Sequence, residues 1–331
     1  MKYKYIDLHL HLDGAITPKI AKKLIKLQNL KYTKNRFKLK KLIVAPKNCK
    51  NLNDFLKCFE LPGDLLQTKE AIKTAVILLL KNLKKQNVIY SEIRFAPQKH
   101  TLKGLSQEQV VLAALEGLKE ANKNEEIKSN LILCLMRGEN NEKENFETVE
   151  LAKKYLVKEN GVTAIDLAGA EGLYKTEKFE KFFKKANEYN IPFTIHAGEA
   201  DNYKSVLTAV NFKAVRIGHG IKAAENEETL KILKEKNICL EICPTSNIIT
   251  NAFNKEKGYP FKLLYNYGIK LTVNTDDPAI ENTDIAKEFK YLKKNFNLTK
   301  KDIHGLLNNA IDFAFTGKEQ KEKLKYIFKE F

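Results

Sequence analysis

The stretch "IDLHLHLDGA", residues 6–15, alternates apolar and polar side chains like a β-strand, yet it carries two histidines and two aspartates. Successive strand residues point to opposite faces. Ile6, Leu8, Leu10 and Leu12 therefore share one face, and Asp7, His9, His11 and Asp13 share the other. Such a strand needs an apolar layer on one side and a use for ionisable groups on the other.

Seven further strand-like runs follow, at 88–96, 131–137, 162–168, 191–197, 215–219, 238–243 and 270–275. Between most of them lie Lys/Glu-rich segments with helical spacing, such as 106–124, 144–158, 176–189 and 225–236. Alternating strands and helices argue for a parallel sheet. Eight such repeats in 331 residues predict an α/β chain closed into a (β/α)8 TIM barrel. No low-complexity linker divides the chain, so residues 1–331 are expected to form one barrel domain. Residues 14–87 are too long for a simple crossover between the first two strands. They predict a helical insertion over one end, with "NLNDFLKCFELPGDLLQT" (51–68) as an apolar piece of a lid.

The composition, 43% hydrophobic and 30% charged, is globular. The longest apolar run, "AVILLL" (75–80), is far short of a membrane span. The polar first strand begins close to Met1, where a secretory signal would lie. Five cysteines, at 49, 58, 134, 239 and 243, form no CxxC pair. The expectation is a reduced, cytoplasmic protein without structural disulfides and without a membrane partner. The net charge of +17 comes from dispersed lysines; the arginines are only Arg36, Arg94, Arg137 and Arg216. Nucleic-acid readers rely on arginine forks and interleaved aromatics. No specific nucleic acid is therefore expected, although residues 31–41 ("KYTKNRFKLKK") could attract polyanions weakly.

The face-splitting of the first strand recurs. Glu92 and Arg94 oppose Ile93 and Phe95, Thr194 and His196 oppose Phe193 and Ile195, and Asn274 and Asp276 oppose Val273. In a barrel the apolar face meets the outer helices and the polar face meets the lumen. Polar groups gathered at strand C-termini suit an active site at that mouth. His219 fits less cleanly, sharing parity with Val215 and Ile217, with Gly218 as a possible bend. His9, His11, His196 and Asp276 form a donor set suited to zinc with one position left for water. Asp277, in "NTDDPAI" (274–280), is a candidate for holding ligands or nearby histidines in orientation. Glu199, in "HAGEA" (196–200), is a candidate proton donor if partly desolvated. His219, in "RIGHGI" (216–221), is a candidate base or electrostatic stabiliser.

The blocks "DLHLHLDGA" (7–15), "EIRFAPQ" (92–98), "DLAGAE" (166–171), "HAGEA", "IGHGI", "CPTSN" (243–247) and "NTDDP" closely resemble the adenosine deaminase family of metal-dependent amidohydrolases, nearly end to end. The resemblance implies a (β/α)8 barrel with one Zn²⁺ per chain, held by His9, His11, His196 and Asp276. It implies hydrolysis of adenosine, and of 2′-deoxyadenosine, to inosine and ammonia by zinc-activated water. Glu199 would protonate N1 of the purine, His219 would orient and help deprotonate the water, and Asp277 would bind that water. Among the substrate contacts, His11 and Asp277 would be shared with the metal site, Asp13 would meet the ribose 5′-hydroxyl and the backbone of Gly169 would meet N3. Ser246 would stand behind these groups, and the lid would include Phe55, Phe59, Leu61 and Leu65. The expected partner is a small purine nucleoside, for a monomer or weak oligomer.

Three other readings compete. The first is a relative acting on adenine, or on a 5′-modified adenosine such as aminofutalosine. "HLDG" resembles the adenosine branch, since adenine enzymes more often carry Glu in place of Asp13. The second is a two-metal hydrolase, which usually needs a bridging lysine at the fourth strand's end; "AIDLAGAE" offers none. The third is a non-enzymatic, basic nucleic-acid-binding protein on an enzyme scaffold.

Overall fold

The structure, a computed structural model, describes residues 3–46, 49, 52–123 and 127–329. Parts of the predicted insertion (47–48 and 50–51), the end of one predicted helix (124) and the ends of the 1–331 domain lie outside the described residues.

After β1 (Tyr5–His11) the described residues form five α-helices: α1 (Pro18–Leu27), α2 (Arg36–Ile43), α3 (Leu52–Leu56), α4 (Glu60–Leu65) and α5 (Lys69–Lys85). It then alternates regularly through β2 (Val88–Phe95), α6 (Gln107–Asn122), β3 (Lys128–Met136), α7 (Glu142–Lys154), β4 (Val162–Ala168), α8 (Glu180–Glu188), β5 (Thr194–Ala197), α9 (Tyr203–Asn211), β6 (Arg216–His219), α10 (Glu227–Glu235) and β7 (Cys239–Ile242). Two short helices, α11 (Pro244–Ile249) and α12 (Phe261–Tyr267), precede β8 (Lys270–Val273). The chain ends in α13 (Ile285–Phe296), α14 (Lys300–Phe313) and α15 (Lys318–Lys329). The helices start where the sequence supplies caps. Ser106 and Gln109 form a reciprocal capping box on α6, and Thr299 and Asp302 do so on α14.

The strands pair in parallel as two sheets, β1-β2-β3-β4 and β5-β6-β7-β8. Two seams close them into a barrel. Ile165 pairs with Phe193 between β4 and β5. Beyond β8, Asp276 donates its N–H to the His9 carbonyl at 2.8 Å and accepts from the His11 N–H at 2.9 Å. The predicted (β/α)8 barrel is the observed fold, with the helical insertion between β1 and β2.

The alternation sorts residues as expected. Ile6, Leu8, Leu10 and Leu12 are fully buried in the apolar layer under the helices. Each contributes about 1.5–3 kcal/mol relative to exposure. The lumen is ionic instead. Arg94 donates to Asp166 and Glu241, each at 2.9 Å. Arg216 meets Glu92 and Glu241, each at 2.6 Å, and stacks 3.9 Å above the Phe315 ring. All five charged residues are fully buried. Such a network need not add stability, but removing one member leaves its partners uncompensated, at a cost of about 3–5 kcal/mol.

Candidate active site

The C-terminal mouth of the barrel opens into a cavity of about 440 Å³. Its wall includes His11, Asp13, Gly169, His196, Glu199, His219, Asp276 and Asp277. Of the predicted metal, acid–base and substrate-contact residues, His9 is set behind this wall, fully buried beneath it.

His9, His196, His219 and Asp276 offer ligand atoms within 4.8 Å of one another, as do His11, Asp276 and Asp277. Asp276 joins the two groups. Its Oδ1 lies 3.1 Å from His9 Nε2 and 3.3 Å from His11 Nε2, and His11 Nε2 lies 3.2 Å from His196 Nε2. The four predicted ligands are thus linked across two groups. Four donors at about 2.0–2.2 Å from one ion stand about 3.3–3.6 Å apart, close to these separations.

The tautomers fit a cation as well. His9 Nδ1 lies 2.7 Å from Glu241 Oε2, and His196 Nδ1 lies 2.9 Å from Asp166 Oδ2. A carboxylate only accepts, so the His9 Nδ1 that meets Glu241 carries a proton and Nε2 is turned toward Asp276. That buried Nε2 faces an Asp276 oxygen without a hydrogen bond. Burial and Arg94 lower the His9 pKa, but Asp276 and Glu241 outweigh them and raise it, so the pocket favours positive charge between His9 and Asp276, a proton or a metal ion. Burial raises the Asp276 carboxyl, but the His9 ring foremost outweighs it and holds the group well below the usual range.

Besides Asp277, the expected orienting carboxylate, Glu241 and Asp166 stand against the Nδ1 atoms of His9 and His196. They sit one level deeper in the lumen, where they reach the outer edges of the rings. Their signal was present: Glu241 stands between Leu240 and Ile242, and Asp166 between Ile165 and Leu167, each the lone charge in an apolar strand. Asp277 turns into the cavity, and its Oδ1 is buried without a hydrogen-bond partner. Burial and the carboxylates of Asp276, Asp13 and Glu199 push its pKa well above the usual range. Gly14 makes room for it, since a Cβ there would stand 1.7 Å from Asp277 Oδ1.

The parity of His219 is resolved by its backbone. Arg216 and Gly218 face the lumen, and a Cβ on Gly218 would press to 3.0 Å from the His9 ring. His219 adopts φ 59°, which swings its ring back toward the mouth, 5.0 Å from that of His9 between centroids. Asp276 has φ 58°. Left-handed backbone is costly for such residues and persists where surrounding structure enforces it, often at functional sites. Asn247 Nδ2 donates to His219 Nδ1 at 3.1 Å, and Tyr259 donates to Asn247 Oδ1 at 3.0 Å. Burial lowers the His219 pKa well below its usual value, so the ring is neutral. Its proton then sits on Nε2, facing the cavity.

Glu199 Oε2 lies 3.5 Å from that Nε2, while the Thr250 hydroxyl donates to Oε1 at 3.0 Å. Burial, Asp276 and Glu171 push the Glu199 carboxyl up to about 8. Glu199 is therefore a carboxylic acid at neutral pH, as a proton donor requires. Asp13, half-buried, and Gly169, at φ 104°, form other parts of the wall. Ser246 is buried outside the cavity lining. Of the expected lid residues, Phe55 and Phe59 line the cavity with Leu52 and Leu56, whereas Leu61 and Leu65 turn into the core. The break between α3 and α4 separates the two pairs. Arg137 had no sequence-assigned role. It lines the cavity and donates to the His196 carbonyl at 2.6 Å.

Residues 5–329 match the family model for adenosine deaminase. The chain belongs to the adenosine deaminase family. It is 44% identical over 326 residues to an adenosine deaminase of Haemophilus ducreyi, across 98% of this chain and 95% of that one. An adenosine deaminase of Clostridium botulinum is 40% identical over 326 residues, covering 98% of each. In solved structures the family's fold recurs in an adenine deaminase from Arthrobacter aurescens (TM-score 0.88, 24% identity, 98% of each chain). It recurs again in an Arabidopsis N6-mAMP deaminase (TM-score 0.85, 27% identity, 100% of this chain and 98% of that one). Among the described residues, no helix is long and apolar enough to cross a membrane.

Proposed function

We propose that this chain is a hydrolase of purine C–N bonds that converts adenosine and 2′-deoxyadenosine to inosine or deoxyinosine and ammonia. The observation that carries the reading is the juxtaposition of the buried Glu199 carboxyl with the His/Asp donor cluster in one cavity. The donors suit zinc, with His9, His11, His196 and Asp276 as its ligands. Zinc bound there would lower the pKa of water from about 15.7 toward about 7 and so supply a nucleophile at neutral pH.

The remaining work falls to the chain's own side chains. C6 of adenine resists attack while the ring stays aromatic. Glu199 donates its proton to N1, which accepts the electrons displaced as C6 adds water. His219 donates from Nε2 to the attacking oxygen, which is the orienting part of the role the resemblance implies; with its proton on Nε2 it leaves the deprotonating part to Asp277. Asp277, ionised when the charge of a bound cation offsets Asp276, accepts a proton from the same water at Oδ1. That proton leaves with the 6-amino group as ammonia, N1 keeps the one from Glu199, and the second water proton passes from the C6 hydroxyl back to Glu199, which leaves the C6 carbonyl of inosine and restores the acid. Gly169 meets the purine through its backbone, and Asp13 takes the ribose 5′-hydroxyl. Leu52, Phe55, Leu56 and Phe59 cover the bound nucleoside and exclude bulk water.

An ammonia-release panel tests this with adenosine, 2′-deoxyadenosine, adenine, AMP and a 5′-substituted adenosine, before and after chelation. The expected result is turnover of the first two, lost on chelation and restored by zinc. Preference for adenine or for the 5′-substituted compound would move the chain to another branch of the family. A cytoplasmic setting is part of the proposal, and fractionating the activity from cells tests it.

A further inference from the structure

Glu171 closes the block "DLAGAE", is buried, and, beyond helping to raise the Glu199 carboxyl, touches nothing in the reaction described above. Its carboxylate gathers five donors. Gly198 N–H and the Ser205 hydroxyl reach Oε1, each at 2.6 Å. The N–H groups of Glu199, Ala200 and Asp201 reach Oε2 at 3.0, 2.7 and 3.1 Å. Four consecutive amides of the turn after β5 thus converge on one side chain, forming an anion nest that holds an internal carboxylate.

Behind Glu171 the donors run in one direction. Ser205 donates to Glu171 and so accepts from Thr176, 2.7 Å away. Thr176 accepts from Arg137 at 2.9 Å. The guanidinium that holds the His196 carbonyl is therefore linked, through two hydroxyls and Glu171, to the backbone of Glu199.

We propose that Glu171 is the positioning residue of the proton donor: it fixes the 198–201 turn and so sets the Glu199 carboxyl against N1 of the purine. This rests on Glu199 acting as the acid, as proposed above. The chemistry selects a carboxylate. Glutamine in this place offers one acceptor oxygen, and its amide nitrogen must face two or three of the five donors. Aspartate is one methylene too short to span both sets. The turn then loosens while the cluster at the mouth, held by Glu241 and Asp166, keeps its supports.

The test uses the full-length, metal-loaded protein as wild type, Glu171→Gln, Ser205→Ala and Glu199→Gln. Metal content, kcat and KM for adenosine, and Ki for 1-deazaadenosine are measured. That analogue lacks N1, so it binds without calling on the acid. Glu171→Gln should keep its metal and its Ki within about twofold while kcat falls about 10²-fold, the scale of a small misplacement of a catalytic group. Ser205→Ala removes one donor of five and should lower kcat about 3–10-fold with Ki unmoved. A kcat within about threefold of wild type in Glu171→Gln, or a fall in kcat matched by a rise in Ki, would overturn the proposal. If Glu171→Gln does not fold, Ser205→Ala decides: unchanged kcat, or kcat falling as Ki rises in proportion, also overturns it. Activity retained in Glu199→Gln would instead sink the underlying reading of the acid.

Discussion

His9 Nδ1 and Glu241 Oε2 stand 2.7 Å apart, both fully buried, and the same oxygen receives the Arg94 guanidinium at 2.9 Å. The imidazole is thereby locked with its other nitrogen toward the cavity. Glu241→Gln keeps the size and removes the charge that holds the Nδ1 proton. Metal affinity should fall about 10–100-fold, the usual effect of losing such an orienting partner. Competition against a chelator of known affinity measures it, and an unchanged affinity would remove Glu241 from the metal site's support.

Glu199 must carry a proton to act. Its carboxyl is pushed up to about 8, so the active form dominates below that pH and is lost as pH rises through it. A plot of kcat/KM against pH should be flat near neutrality and bend downward above about 8. In Glu199→Gln the plot should lie about 10²–10⁴-fold lower, without that bend. A basic limb that survives the substitution belongs to another group.

Asp13 occupies the cavity wall away from the deeper His9. Asp13→Ala should raise KM for adenosine by about 10-fold or more, the loss of a hydrogen bond to a charged group at about 1.5–3 kcal/mol. Adenine has no ribose and should show little change. Steady-state kinetics on both compounds checks this, and equal losses would take the ribose contact away from Asp13.

Gly14→Ala places a methyl group 1.7 Å from Asp277 Oδ1, which must move. Stability should fall by about 1–3 kcal/mol, as overpacking usually costs. Turnover should fall by about 10²-fold, because Asp277 leaves its place at the mouth. Thermal melts and kcat together separate the two effects.

The barrel and the mouth were legible in sequence because both follow from period-two alternation. A strand with leucines on one side and histidines on the other admits few other architectures; His9, His196 and Asp276 lie in one cluster, to which Asp276 joins His11. Three things were not legible. Glu241 and Asp166 look like any lone strand carboxylate until a closed lumen brings them against rings from distant strands. His219 has the wrong parity, and a left-handed φ at a non-glycine residue cannot be read from residue types. In the lid, helix periodicity alone could not separate Phe55 and Phe59, which face the cavity, from Leu61 and Leu65, which face the core.

Asp276 also carries both backbone bonds that zip the last strand's end to the first. His9 and His11 leave the ribosome some 266 residues before the carboxylate they share, the spacing at which Asn274 Oδ1 accepts from the Leu8 N–H across this seam. Contacts so distant in sequence form late and slowly. A nascent chain holds these two imidazoles without their common partner until synthesis has passed residue 276. On the proposed ligand set, a chain cut short before residue 276 lacks one of four donors and should load metal only weakly.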